Sequence, residues 1–206
     1  MIAVIDYGAG NLKSVVNALE IVGGRPYVVQ DPALIGQASA IVLPGVGAFG
    51  DGMQELGRLR LVDALNEEVV VKGKPFLGIC LGMQFLGRSS SEHGFHAGLG
   101  WLDGVNERIA PPSRTYRVPH IGWNELRIEH PSALFRGLGE APVFYFLHSY
   151  HLTVDAAASA EVTSSCFHGD WLVASVEKRN IYGVQFHPEK SQESGLALLR
   201  NFVGLM

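Results

Sequence analysis

The sequence predicts an α/β protein built on an open, mostly parallel or mixed sheet flanked by helices, with additional antiparallel strands in its C-terminal half. Up to about residue 80, short apolar runs alternate with stretches of helical apolar spacing, which is the pattern of βαβ units. Beyond about residue 105, β-like runs follow one another with turn signals between them. The chain has 206 residues, 47% of them hydrophobic, and no internal repeat or linker, so a single domain over residues 1–206 is expected.

In the first half, each predicted helix lies between two predicted strands. The first helix ends at Gly23-Gly24, and the second is expected to be broken only at Gly57. Because the carboxyl ends of parallel strands meet at one edge of a sheet, the loops after these strands and Cys80 should lie together there. The predicted strands cover residues 2–5, 26–29, 40–43 and 75–79, and the predicted helices cover residues 12–22 and 53–71.

The second half is predicted to consist of strands, closed by one helix. Gly169-Asp170 lies between two alternating runs and predicts a hairpin. The last helix is expected over residues 191–205 with Ser191 as its N-cap, and the helix after Cys80 is expected to run to about Arg88. The predicted strands cover residues 105–109, 124–128, 143–150, 161–167, 171–177 and 181–186.

Charge and cysteine content exclude several classes of partner. The formal net charge is -4 and Lys and Arg are scattered, so neither a nucleic acid nor an anionic membrane surface is an expected partner. Two cysteines are too few for a disulfide framework, and no N-terminal signal pattern is present. No apolar stretch reaches the length of about 18 residues that a membrane span needs. A cytoplasmic location is therefore expected.

The segment Gly78-Ile79-Cys80-Leu81-Gly82 has the pattern of a nucleophile elbow with cysteine in place of serine. In such an elbow a strand ends in a strained turn, the nucleophile lies at its tip and the next residues begin a helix. Glycine suits the flanking positions because a side chain would crowd the packing of strand against helix. A helix N-terminus favours thiolate over thiol. Cys80 is therefore the predicted nucleophile, although a buried structural cysteine is the alternative for Cys80 alone.

The predicted base is His187, at the end of a β-like run. Glu189 follows two residues later, so in an extended backbone both side chains would point to one side. A thiolate, an imidazole and a carboxylate are the parts of a Cys-His-Glu triad, in which the carboxylate fixes the tautomer of the imidazole. Cys80, His187 and Glu189 are the predicted catalytic residues.

The loop Pro44-Gly45-Val46-Gly47 is the predicted oxyanion loop. Acyl transfer builds negative charge on an oxygen, which needs two backbone N–H donors in position. One donor is expected from Leu81, the residue after the nucleophile, and the other from Val46 or Gly47. Neighbouring glycines would let the peptide flip between a state with the N–H turned in and a state with it turned out, so the hole is expected to be switchable.

Two weaker patterns predict no cofactor. Gly8 and Gly10 follow a strand, but Lys13 occupies the place of the third glycine in a dinucleotide fingerprint. His93 and His96 have no third ligand nearby, so a metal site is not expected.

The pattern Gly-x-Cys-x-Gly-x-Gln with a late His-Pro-Glu resembles the class I, triad-type glutamine amidotransferases, which have a flavodoxin-like fold, hydrolyse glutamine and pass on the ammonia. Further segments resemble, within that family, the glutaminase subunits of imidazole glycerol phosphate synthases of histidine biosynthesis. The resemblance spans nearly the whole chain, with no departure at the triad. The segments are residues 6–12, 44–49, 119–124, 145–150 and 187–191.

The resemblance implies roles for residues near the triad. The substrate would be L-glutamine, with its α-amino group held by Glu92. Gln84 and Gly45 would lie along the substrate, and its carboxylate would be received by the backbone around His148-Ser149-Tyr150.

The resemblance also implies a partner. This would be the cyclase subunit, a (β/α)₈ barrel, in a 1:1 heterodimer activated by the nucleotide substrate of the cyclase. Asn11 and Lys190 would lie near the junction. Pro119, His120 and Trp123 are also expected at the interface, on a segment expected to be a loop. Trp123 alone could anchor a partner or fill the core of this domain, and the resemblance favours an anchor near the exit of ammonia.

Three alternatives remain open from the sequence. The chain could be the glutaminase subunit of another amidotransferase, such as that of pyridoxal phosphate or anthranilate synthesis. It could be a cysteine peptidase or a protein of the DJ-1 type, against which His187-Pro188-Glu189 argues. It could also be a non-catalytic binding subunit that kept the fold, against which the intact triad argues.

Overall fold

The computed structural model describes residues 1–113 and 115–206, and its elements alternate as predicted in the first half. The strands are β1 Ile2–Ile5, β2 Pro26–Val29, β3 Ala40–Gly45, β4 Phe76–Cys80, β5 Ser89–Ser90, β6 His96–Ala97, β7 Gly104–Arg108, β8 His120–Glu125, β9 Arg127–Ile128, β10 Val143–His148, β11 Tyr150–Val154, β12 Val162–Phe167, β13 Trp171–Lys178 and β14 Ile181–Val184. The α-helices are α1 Leu12–Ile21, α2 Pro32–Ile35, α3 Phe49–Arg58, α4 Leu61–Leu65, α5 Leu81–Gln84 and α6 Gln192–Val203. A π-helical segment covers Asn66–Val71, and 3-10 turns cover Ala133–Phe135, Ala156–Glu161 and Pro188–Lys190.

The main sheet has the strand order β2-β1-β3-β4-β14-β13-β12-β9 within the described ranges. Its first five strands in that order are parallel, and β13, β12 and β9 extend it in antiparallel fashion. This confirms the predicted open, mixed sheet with a parallel first half. Two smaller sheets, β10-β8 and β11-β7-β5-β6, are built from the C-terminal half and from the segment after α5.

Helices cover both faces of the parallel strands. In β1, Ile2 and Val4 pack into one apolar cluster with residues of α1 and α6, whereas Ala3 and Ile5 pack into a second cluster with residues of α3 and α4. All four residues of β1 are fully buried. Coverage on both faces explains why the parallel strands appear in the sequence as continuous apolar runs.

Two helix predictions were wrong in their bounds. The helix expected over residues 53–71 begins at Phe49 and is broken not at Gly57 but at Arg60, which has a left-handed backbone with φ of 57°. The turn at Arg60 redirects the chain so that Leu61 and Leu65 are buried. The helix after Cys80 ends at Gln84 rather than near Arg88, because Ser89–Ser90 pairs with β6 and β7.

The segment expected as a loop over residues 119–124 forms most of β8. It pairs with β10 in antiparallel register, from Glu125 opposite Val143 to His120 opposite His148. Glycine and polar residues in β8 obscured the strand in the sequence. The run predicted over residues 143–150 divides after His148 into β10 and β11.

At two turns the structure bears on a specific prediction. The hairpin at Gly169-Asp170 is confirmed, with Phe167 opposite Trp171. Ser191 precedes α6, but its hydroxyl does not cap the helix. None of the helices in the described part of the chain has the length and apolar character that a membrane crossing requires.

Candidate active site

Cys80 lies at a strained turn between β4 and α5. Its φ of 55° and ψ of -107° are unusual for a residue with a side chain. The turn is also tight, since a Cβ added to Gly78 would lie 2.5 Å from the carbonyl oxygen of Gly82, and one added to Gly82 would lie 1.8 Å from that of Leu43. Glycine is required at both positions for the steric reason that the sequence predicted, and the geometry is that of a nucleophile elbow.

His187 and Glu189 meet just after β14. Nδ1 of His187 lies 2.9 Å from Oε1 of Glu189, and the two side chains are 3% and 2% exposed. The expected extended backbone is replaced by the 3-10 turn at Pro188–Lys190, which folds the carboxylate back onto the imidazole. Because a carboxylate accepts, Nδ1–H donates and Nε2 is left for Cys80. Nε2 is buried, with no hydrogen-bond partner among the described residues.

Ser191 supports this arrangement from the start of α6. Its hydroxyl donates to the carbonyl of His187 at 2.6 Å and accepts from the N–H of Tyr145 at 3.0 Å. Gly195 lets α6 pack closely against the backbone of Pro188, because a Cβ on Gly195 would lie 1.8 Å from the carbonyl oxygen of Pro188. The backbone of His187 is therefore held by both β10 and α6.

The imidazole of His187 is poised to carry a charge. Burial lowers its pKa, but the proximity of the Cys80 sulfur, followed by the hydrogen bond to Glu189 and the charge of that carboxylate, outweighs burial and raises the pKa to about 9. The sulfur of Cys80 also lies 3.6 Å from Nε2 of Gln185 and 3.9 Å from the carbonyl oxygen of Leu147. At neutral pH, His187 is a protonated acid beside the nucleophile.

A cavity of about 250 Å³ opens at Cys80. It contains most of the predicted catalytic, oxyanion and glutamine-binding residues, which come from widely separated parts of the chain. Glu189 is linked to it through His187. The cavity is lined by Val46, Gly47, Cys80, Leu81, Gln84, Glu92, Pro119, Leu147, His148, Ser149, Tyr150 and His187.

The predicted oxyanion loop follows β3 and lies beside the nucleophile. Gly45 is opposite Cys80 in the sheet register, and Val46 is 40% exposed. Gly47 has a φ of 98°, a conformation that glycine adopts without strain. The side chain of Tyr7 packs beneath the loop, since a Cβ on Gly45 would lie 2.1 Å from its hydroxyl oxygen.

The sequence did not predict a role for Tyr7. Its hydroxyl is buried and has no hydrogen-bond partner in the described structure. Burial, followed by the proximity of Cys80, raises its pKa. The only signal in the sequence was its position in a loop after a strand, at the edge where the site was expected.

Comparison with known proteins agrees with this geometry. The family model "Glutamine amidotransferase class-I" matches residues 3–205. The chain belongs to this family. It is 48% identical over 200 residues to "Imidazole glycerol phosphate synthase subunit HisH" of Aquifex aeolicus, covering 97% of this chain and 94% of that protein. It is 44% identical over 208 residues to "Imidazole glycerol phosphate synthase subunit HisH 2" of Pseudomonas aeruginosa, covering 100% of both.

A solved structure supports the fold. The chain resembles "Structure of PurLQS from Thermotoga maritima" with a TM-score of 0.77 at 20% identity, covering 99% of this chain and 97% of that one. At this identity the likeness concerns the fold alone. The fold class predicted from the sequence is that of the class-I glutamine amidotransferases.

Glu92 and Gln84 have protein partners in this amidotransferase in addition to facing the cavity. Oε2 of Glu92 accepts from the N–H of Phe49 at 2.7 Å. Phe49 is the first residue of α3, so Glu92 holds the helix that directly follows the predicted oxyanion loop. Nε2 of Gln84 donates to the carbonyl of Tyr150 at 2.9 Å and to Oε1 of Gln185 at 3.1 Å.

His148 and His120 form a buried, neutral pair. Nδ1–H of His148 donates to the carbonyl of Tyr150 at 2.9 Å, and its Nε2 lies 3.0 Å from Nδ1 of His120. Burial above all lowers the pKa of His148 to about 3, and burial followed by the proximity of His168 lowers the pKa of His120 to about 4. The prediction that His120 contacts the partner is wrong for its side chain, which is 3% exposed and faces inward.

The opposite face of β8 and β10 is apolar and exposed. We call this surface the β8–β10 face. Its aromatic rings, Trp123 and Tyr145, are cross-strand neighbours with centroids 5.9 Å apart, and Nζ of Lys190 lies 5.9 Å from the Tyr145 ring. Pro119 at its edge is exposed and also lines the cavity, whereas Asn11 is exposed just before α1. The exposed apolar members are Ile121 at 58%, Trp123 at 49%, Leu147 at 39% and Val143 at 36%.

Proposed function

We propose that this chain is the glutaminase subunit of an imidazole glycerol phosphate synthase. It hydrolyses L-glutamine and supplies ammonia to the cyclase subunit, which forms imidazole glycerol phosphate and aminoimidazole carboxamide ribotide in L-histidine biosynthesis. The observation that carries the proposal is an elbow cysteine and a buried His-Glu pair in one cavity of a chain that is 44–48% identical, along nearly its whole length, to HisH subunits. The match over residues 3–205 supports a single domain spanning residues 1–206.

The first half of the reaction forms a thioester. The thiolate of Cys80 attacks the amide carbon of the glutamine side chain, and the carbonyl electron pair moves to the oxygen. Backbone N–H groups of Leu81 and of Val46 or Gly47 stabilise this oxyanion. When the intermediate collapses, the C–N bond breaks and Nε2–H of His187 protonates the leaving nitrogen, which departs as ammonia.

The second half of the reaction restores the enzyme. Water attacks the γ-glutamyl thioester and gives a proton to the now neutral His187. The C–S bond breaks, and glutamate leaves while the Cys80 thiolate and the His187 imidazolium are regenerated. Glu189 accepts from Nδ1–H of His187 throughout, so that Nε2 is the nitrogen that gives and takes the proton; the 2.9 Å distance between Nδ1 and Oε1 supports this role.

Glutamine binding uses the remaining lining of the cavity. The carboxylate of Glu92 suits the α-ammonium group, and the backbone of His148-Ser149-Tyr150 receives the α-carboxylate. Gln84 and Gly45 flank the side chain of the substrate. Support comes from the lining itself, which includes all of these residues except Gly45. Gly45 lies directly opposite Cys80 in the sheet.

The partner is a (β/α)₈-barrel cyclase in a 1:1 heterodimer, bound through the β8–β10 face. Exposed aromatic residues commonly anchor such interfaces. Leu147 on this face and Pro119 at its edge are exposed and also line the cavity, so a partner seated here covers the cavity mouth and receives the ammonia. Trp123, Lys190 and Asn11 complete the proposed contact. The partner with its ribonucleotide selects the state of the Val46–Gly47 peptide that donates to the oxyanion.

The proposed location is a reducing cytoplasm. Cys80 and Cys166 are both free, and the mechanism requires Cys80 as a reduced nucleophile.

Glutaminase activity tests the proposal directly. The purified chain is measured alone, with the cyclase and with the cyclase plus its ribonucleotide substrate, beside Cys80→Ala. The proposal expects strong activation that needs both partner and ribonucleotide and that Cys80→Ala abolishes. High activity of the chain alone would contradict the switchable oxyanion hole, and no activity in any mixture would contradict the proposed partner.

A further inference from the structure

A buried amide contacts the nucleophile. Gln185 directly follows β14 and is fully buried, and its Nε2 lies 3.6 Å from Sγ of Cys80, within the range of a hydrogen bond to sulfur. The backbone N–H of Gln185 donates to the carbonyl of Ala174 at 2.8 Å, which fixes the main chain at this point.

The neighbours of Gln185 determine which end of its amide faces the sulfur. The carbonyl of Tyr150 can only accept, so the group of Gln84 that lies 2.9 Å from it must be the NH₂. The same NH₂ lies 3.1 Å from the amide of Gln185 and needs an acceptor there, which is Oε1. The NH₂ of Gln185 is therefore the end that points at Cys80.

The effect of the Gln185 NH₂ on the charge of Cys80 depends on the other groups around the sulfur. The carbonyl of Leu147, 3.9 Å away, can accept from the thiol but has nothing to offer a thiolate. The titratable groups facing the sulfur are His187 and Tyr7. A hydrogen bond donated to an anion is stronger than one donated to a neutral group, so an N–H here favours thiolate over thiol.

We propose that Gln185 is a further catalytic residue, whose side-chain NH₂ donates a hydrogen bond to the Cys80 thiolate and, through its orientation by Gln84, keeps the nucleophile ready for attack. This rests on the proposed glutaminase function. The NH₂ stabilises the thiolate before attack on glutamine and again when water releases it from the thioester. Gln84, which faces both the cavity and Gln185, acts as a positioning residue.

Alkylation of Cys80 by iodoacetamide tests this without substrate or partner. The reaction is run at pH 7 and pH 10, and the peptide that carries modified Cys80 is quantified by mass spectrometry. The other cysteine, Cys166, is fully buried. Gln185→Leu is expected to slow alkylation at pH 7 by about tenfold to a hundredfold, the range for a hydrogen bond to a charged group, and to leave the rate at pH 10 unchanged. In the complex with the cyclase, kcat should fall with KM for glutamine retained.

Gln185→Glu is the sharper variant, because it keeps the acceptor for Gln84 and replaces the donor by an oxygen. Alkylation of Cys80 at pH 7 should be slower in Gln185→Glu than in Gln185→Leu. The control is Gln54→Glu, a matched change on the exposed side of α3, which should behave like the native chain.

Alkylation at the native rate at pH 7 in folded Gln185→Leu or Gln185→Glu would overturn the proposal. If thermal melting shows that neither variant folds, the side-chain ¹H–¹⁵N resonances of Gln185 in the native chain decide. They should shift when Cys80 is S-methylated, and unchanged resonances would overturn the proposal. Alkylation needs neither glutamine nor cyclase, so it still tests the role of Gln185 if the proposed function fails. Alkylation of the variants at the native rate, together with full glutaminase activity of the native complex, would overturn the proposal for Gln185 alone.

Discussion

His187 and His148 line the same cavity and are both buried, yet at neutral pH one imidazole is protonated and the other is neutral. The pKa of His187 is raised to about 9, whereas that of His148 is lowered to about 3. Burial lowers the pKa of both, so burial alone cannot explain the difference. His187 has a carboxylate and a nucleophilic sulfur as partners, whereas His148 has a carbonyl and a second neutral imidazole. The partners of each imidazole therefore decide which histidine performs acid-base chemistry.

The largest expected effect is a difference in glutaminase activity between variants of these two histidines. His187→Gln should reduce glutaminase kcat by about 10⁴-fold or more, because it removes both the proton donor and the base. His148→Gln keeps a donor for the carbonyl of Tyr150 and should cost less than about tenfold, roughly one hydrogen bond. Both are measured in the complex with the cyclase. A similar loss in the two variants would contradict the assignment of the chemistry to His187.

The elbow at Cys80 and the His187–Glu189 pair were largely predictable from the sequence, because their determinants are local. Gly78 and Gly82 flank Cys80 and are required by contacts below 3 Å, and Glu189 follows His187 in the chain. The parallel half of the fold was predictable for a similar reason, since strands covered on both faces have continuous apolar sequences.

Other features of the site and the fold were less predictable because their determinants are tertiary. The buried side of β8 is defined only by pairing with β10, so His120 was expected at the partner surface. Tyr7 and Gln185 gain their roles from contacts with residues about 40 to 105 positions away in sequence, which no local pattern encodes. The break at Arg60 was also missed, because a left-handed residue with a side chain has no reliable sequence signal.

A second comparison concerns the two sides of β8, one buried with His120 and one exposed with Trp123. If the exposed side binds the cyclase, Trp123→Ala should weaken the complex by about a hundredfold, as for a central aromatic anchor, without changing the thermal stability of the free chain. The control is Trp171→Ala, a tryptophan of similar exposure on β13, outside the β8–β10 face. Calorimetric titration with the cyclase gives both values. Equal affinities for the two variants would rule out this face as the centre of the interface.

A smaller effect tests whether Glu92 both binds the substrate and holds the helix after the oxyanion loop. Glu92→Gln removes the charge but keeps an acceptor for the N–H of Phe49, so KM for glutamine should rise by about tenfold with kcat retained. Glu92→Ala removes both the charge and the acceptor, so here kcat should also fall, by about fivefold, equivalent to the loss of ~1 kcal/mol of helix capping. Steady-state kinetics in the complex separate the two parameters. Equal kcat values in the two variants would limit Glu92 to substrate binding.

The smallest effect is the dependence of stability on pH, which differs between the two histidines. An unfolded histidine has a pKa of about 6.5, so between pH 6.5 and pH 5 the unfolded chain takes up protons that native His148, with a pKa of about 3, does not. The free energy of unfolding should therefore decrease as the pH is lowered through this window, by at most about 1.4 kcal/mol per pH unit for this group. His187, with a pKa of about 9, is protonated throughout the window in the native state and adds no such loss.

Urea denaturation of the free chain at pH 5 and pH 6.5 measures this difference. His148→Gln should reduce the change in the free energy of unfolding between the two pH values, because it removes a group that only the unfolded chain protonates. His187→Gln should not reduce it, since the native imidazole already carries the proton that the unfolded chain acquires. If both variants kept the native pH dependence, His148 would not be neutral in the folded chain. The contrast between the two imidazoles would then have to come from geometry rather than from charge.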